Sequence, residues 1–110
     1  EVQDNFTIMK EEPFGPLVPV LTFKDFDEVV ERANNNDLGL CSYLYTNSMD
    51  KANRASEMME TGCVAVNTAA VAVAEAPFGG IKQTGYGREG GSMAIKDYLN
   101  IKYTHMGLKT

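Results

Sequence analysis

The chain has 110 residues, enough for one small domain that buries roughly 65% of the surface its unfolded form would expose. A composition of 44% hydrophobic and 23% charged residues excludes disordered, collagen-like and disulfide-stapled classes. Fifteen acids against ten bases leave a net charge of −5, which argues against nucleic-acid and anionic-membrane partners. No stretch approaches the ~20 apolar residues of a membrane span, and the first residues lack the basic-then-apolar plan of a signal peptide. A cytoplasmic setting with reduced thiols at Cys41 and Cys63 is therefore expected. No metal site is expected either, because His105 is the only histidine and no CxxC occurs.

Along the chain, residues 1–9 are polar with isolated apolar positions, and Glu11-Glu12-Pro13-Phe14-Gly15-Pro16 reads as a stiff loop. Residues 17–23 predict an apolar strand, with Pro19 at an edge or bulge. Asp25 with Glu28 three residues on predicts a capped helix start, and Phe26, Val29, Val30 and Ala33 supply its inner face. The Asn34-Asn35-Asn36-Asp37 run ends that helix, and Gly39 turns the chain. A second strand follows over 40–46, and a second helix over 49–59 with Asn47 or Ser48 as its cap. A third strand spans 63–67, before the low-polarity run 69–74 and a glycine-rich stretch from Pro77 to Gly91. A short helix over 92–100 and a strand over 101–105 close the chain.

Strand, helix, strand, helix, strand predicts an α/β fold: a parallel-type sheet with crossover helices. The strands carry consecutive apolar residues, as strands buried on both faces do. Two right-handed crossovers winding one way put both helices on one face. The other face then lacks cover from this chain, which marks it as a surface completed by further polypeptide or another subunit.

Neither cysteine has a basic activating neighbour in sequence, so both read as small hydrophobes and neither as a nucleophile. Gly85-Tyr86-Gly87-Arg88-Glu89-Gly90 matches GxGxxG, yet the strand before it ends near Asn67 and no acidic residue closes the next strand. A packed glycine turn is the simpler reading, with a stand-alone phosphate-binding or oligomerisation module as the rival. A carboxylate held on the 11–16 loop could accept ribose hydroxyls, with Phe14 against a flat ring; a solvated acidic pair is the plainer alternative. Phe78 reads equally as core residue or pocket wall, and the small residues of 69–74 suit packing or a narrow passage.

Four ordered motifs together resemble the aldehyde dehydrogenase superfamily. They are Glu11-Glu12-Pro13-Phe14-Gly15-Pro16; Ala33-Asn34-Asn35 leading to Leu38-Gly39-Leu40; Gly62-Cys63-Val64-Ala65-Val66-Asn67; and Pro77-Phe78-Gly79-Gly80 through Gly90. The closing Asp97-Tyr98-Leu99-Asn100-Ile101-Lys102-Tyr103 is most similar to the succinate-semialdehyde branch. The resemblance implies the C-terminal part of such an enzyme. Residues 1–90 would be the C-terminal half of the catalytic domain, and residues 91–110 a terminal helix and oligomerisation strand.

Members of that family oxidise an aldehyde to an acid with NAD or NADP, using a cysteine nucleophile and a glutamate base whose motifs lie upstream. The resemblance therefore assigns no catalytic residue to this chain and predicts that it is inactive alone. It gives Glu12 to the nicotinamide-ribose hydroxyls and Phe14 to the nicotinamide region. Phe78 and Ala72 would line the aldehyde tunnel, and the 101–105 strand would join a sheet between subunits of a homo-oligomer. Succinate-semialdehyde members carry a serine where Ala72 stands, so a short uncharged aldehyde is the alternative substrate; one missing hydrogen bond to a buried carboxylate costs about 1–3 kcal/mol.

Overall fold

The computed structural model describes residues 2–109; Glu1 and Thr110, the outer ends of the two predicted units, lie outside the described residues. A single helical turn, α1 (Thr7–Lys10), precedes the proline-bearing loop. The first full helix is α2 (Phe26–Asn34), capped as its sequence predicts. The Asp25 carboxylate accepts from the Glu28 N–H at 2.9 Å, and Glu28 reaches back to accept from the Lys24 N–H at 2.9 Å. Of the two candidate caps for α3 (Met49–Met58), Ser48 is the one used, accepting from the Lys51 N–H at 3.3 Å.

The strands that follow are β1 (Leu38–Gly39), β2 (Cys41–Leu44), β3 (Cys63–Val66) and β4 (Ile81–Lys82). β2 and β3 pair in parallel, so the chain between them must cross over, and α3 is that crossover. β1 and β4 form a separate antiparallel pair, with Leu38 opposite Lys82 and Gly39 opposite Ile81. The end of β3 is closed by Asn67, a non-glycine residue at φ 57°. Its side chain accepts from the Thr46 N–H at 2.8 Å and donates to the Thr46 carbonyl at 2.9 Å, which compensates the left-handed backbone.

Helices α2 and α3 lie side by side. The Arg54 guanidinium sits 4.5 Å above the Phe26 ring and 2.7 Å from the Asp27 carboxylate. Asn34 ties the helix ends together, donating to the Met58 carbonyl and accepting from the Glu60 N–H, each at 2.8 Å. Among the described residues the buried apolar side chains are Val30 (5% exposed), Ala55 (2%) and Ala65 (4%), one each from α2, α3 and β3. Strand alternation places Ser42, Leu44 and Val64 on one face of the parallel pair, where they line a cleft of about 320 Å³ with Val30 and Ala55. Cys41, Tyr43, Cys63 and Ala65 take the other face.

Three predicted elements differ. Residues 17–23 are not a strand: they run unpaired, with Leu17, Val18, Val20 and Phe23 exposed. Pro16 and Pro19 each remove a ladder donor, and among the described residues no strand lies alongside to supply the rest. The 92–100 segment holds only a 3₁₀ turn, Ala94–Tyr98, whose N-cap Met93 offers no side-chain acceptor. The 101–105 strand is likewise absent, and Ile101 and Tyr103 project into solvent. Among the described residues the parallel-type sheet is thus two-stranded.

The shape follows from that. The radius of gyration is 19.4 Å with a long axis of 79 Å, against about 13 Å for a compact chain of this length.

Candidate functional site

Three of the four predicted site residues meet in one open groove. Glu12 enters it from the loop after α1, Ala72 from the 69–74 run and Phe78 from the segment leading into β4. Leu38, Gly39, Cys41 and Tyr43 form its floor, and the whole groove measures about 690 Å³. Partial burial, followed by the neighbouring Cys41 thiol, pushes the Tyr43 phenol up.

Phe78 is the best-anchored of the three. Its N–H donates to the Glu89 carbonyl at 2.7 Å, and its carbonyl accepts from the Glu89 N–H at 2.8 Å. Both backbone groups are thereby satisfied, and the half-buried ring forms a fixed wall. Ala72 presents only a methyl group, exposed toward the groove. Glu12 is exposed at the lip, where its carboxylate oxygens are hydrogen-bond acceptors. Phe14 is not part of the groove: its ring is 95% exposed. Pro13 and Gly15, with a short Gly15 N–H to Pro13 carbonyl bond of 3.0 Å, turn it outward.

The glycine-rich stretch builds the wall behind Phe78. Gly85, Gly87 and Gly90 all have positive φ, at 114°, 85° and 73°. Three N–H groups along this turn already have partners. That of Arg88 donates to the Asp97 carboxylate at 2.7 Å, that of Glu89 to Phe78, and that of Gly91 to the Ala74 carbonyl at 2.8 Å. An aspartate at the turn also repels an anion. GxGxxG here is a packed turn, locked by Arg88, whose guanidinium donates to the Gly80 and Gly87 carbonyls at 2.8 and 2.7 Å.

Two groove residues escaped sequence reasoning. Thr84 lines the groove and accepts the Gly39 N–H at 2.8 Å, which sets the floor height; Gln83 stands beside it. Only the antiparallel β1–β4 pairing brings them there, and two-residue strands leave no periodicity to read. Among the described residues no group of three or more metal-ligating side chains occurs, and no helix is long and apolar enough to cross a membrane.

Residues 1–104 match the model of the aldehyde dehydrogenase family, and the chain belongs to that family. It is 50% identical over 107 residues to a 3-sulfolactaldehyde dehydrogenase of Pseudomonas putida, covering 97% of this chain and 22% of the relative. It is 44% identical over 108 residues to an NADP(+)-linked succinate-semialdehyde dehydrogenase of Escherichia coli K12, covering 98% and 22%. The crystal structure of an E. coli NADP-dependent enzyme superimposes with a TM-score of 0.92 at 44% identity, again over 98% of this chain and 22% of that one. The chain therefore spans about one-fifth of the length of the relatives it matches.

Proposed function

We propose that this chain is the dinucleotide- and aldehyde-contacting segment of an NAD(P)-dependent dehydrogenase that oxidises a small semialdehyde of the succinate type to its acid. The observation that carries this reading is the groove itself, in which residues 12, 72 and 78 converge from three separate loops. A carboxylate at the lip accepts hydroxyl hydrogen bonds, an aromatic wall packs a flat or extended ligand, and a methyl group leaves the passage wide. NAD or NADP, when bound, supplies the hydride acceptor. Glu12 would hold its ribose hydroxyls, and Phe78 with Ala72 would orient the aldehyde.

Support for an anionic tail on the substrate comes from the relatives, whose names give 3-sulfolactaldehyde and succinate semialdehyde as substrates. Ala72 favours the second reading, a short uncharged aldehyde, because a methyl group offers a distal carboxylate nothing. Comparing kcat/KM of the complete enzyme for succinate semialdehyde and for butanal decides between them. A preference of tenfold or more for the semialdehyde is expected; equal or reversed values would shift the assignment to the neutral substrate.

Residues 101–105 would become a strand by pairing with a second subunit, in a cytoplasmic homo-oligomer, and residues 91–110 would form the unit that carries it. Phe14 would turn onto the nicotinamide region when cofactor and the rest of the enzyme close over the loop.

A further inference from the structure

Two thiols meet on the groove face of the parallel pair, in a place no role above uses. Cys41 and Cys63 open β2 and β3, and the register sets them directly opposite each other. Opposed residues on adjacent strands project to the same side, with backbones about 4.8 Å apart. Both thiols are free and half-buried. The Cys63 thiol donates to the Gly79 carbonyl oxygen at 3.8 Å. Burial first, and then Cys63, push the Cys41 thiol up. None of the groups acting on it is a cation, so the Cys41 thiol makes a poor nucleophile.

The same arrangement makes a good chelator. A soft centre that bonds both sulfurs displaces both protons at once and needs no pre-formed thiolate. We propose that Cys41 and Cys63 form a bidentate site for thiophilic species of the trivalent-arsenical class. With an arsenoxide, two As–S bonds form while two S–H bonds and the As–O bond break, and the oxygen and both protons leave as one water. No electrons are transferred. Because Cys41 is also part of the groove floor, an occupant would sit beside the Glu12, Ala72 and Phe78 groove.

The test is titration of the 110-residue chain with phenylarsine oxide, followed by intact mass and thiol counting. One equivalent should bind, consume both thiols, survive excess 2-mercaptoethanol and be released by 2,3-dimercaptopropanol. Cys41→Ala and Cys63→Ala should each weaken binding about 100-fold or more, since each leaves a single sulfur. If 2-mercaptoethanol strips the unaltered chain as easily as the variants, or if two equivalents bind, the proposal fails. Trypsin gives a readout that needs no variant, because cleavage after Lys51 and Arg54 separates the two cysteines. Recovery of both peptides joined through one arsenic is expected, and recovery of the two peptides apart would overturn the site.

Discussion

Of the ten glycines, Gly62, just before β3, has the least room for a side chain. A Cβ there would run into the Gly79 carbonyl, backbone against backbone, so nothing flexible can yield. Gly62→Ala should destabilise the chain by about 1–3 kcal/mol, read as a lower urea midpoint at unchanged slope. At the opposite end, Asp4 and Arg32 form a two-point pair at 2.8 and 3.0 Å that straps residues 2–6 to α2. The Arg32 hydrogen bond holds the Asp4 carboxyl below its ordinary value. A depressed folded value means the strap is complete above the ordinary carboxylate range and is lost as pH falls through the lowered one. NMR titration of Asp4 should show a midpoint that rises to the ordinary value in Arg32→Ala; an unchanged midpoint would mean the pair does not persist in solution. Being exposed, it should move the titration far more than the stability.

At the scale of elements, the legible parts were those whose signals are local. Asp25 with Glu28, the i, i+3, i+4 spacing of Phe26, Val29 and Val30, and the Ser48 cap each settle their own turn of helix. Asp25→Ala and Ser48→Ala should accordingly each cost about 1 kcal/mol, seen as reduced helical circular dichroism or a lower urea midpoint. Strands depend on a neighbour that the local sequence does not contain. Apolar runs at 17–23 and 101–105 look like strands, yet among the described residues no strand pairs with them. The two-residue β1–β4 pairing is the reverse case, invisible locally but fixed by Thr84 and by Lys82, whose ammonium donates to the Asn34 and Asn36 carbonyls at 2.7 and 3.1 Å. Of the candidate site, Glu12, Ala72 and Phe78 were readable as one site only through the family resemblance; their residue types alone left each of them ambiguous.

For the whole molecule, a long axis of 79 Å and apolar side chains exposed from Leu17 to Leu108 describe surfaces that water does not favour. The chain alone should turn over no aldehyde and should associate with itself as concentration rises, which sedimentation velocity will register. In the complete enzyme those surfaces would be covered and the groove would be closed from the far side. The role proposed for Glu12 is to hold the dinucleotide there. Its most direct test is steady-state kinetics of Glu12→Gln in the complete enzyme, varying dinucleotide and aldehyde separately. The dinucleotide KM should rise about tenfold, the loss of one charge-assisted hydrogen bond, while the aldehyde KM stays within twofold. An unchanged dinucleotide KM, or a rise confined to the aldehyde, would contradict it.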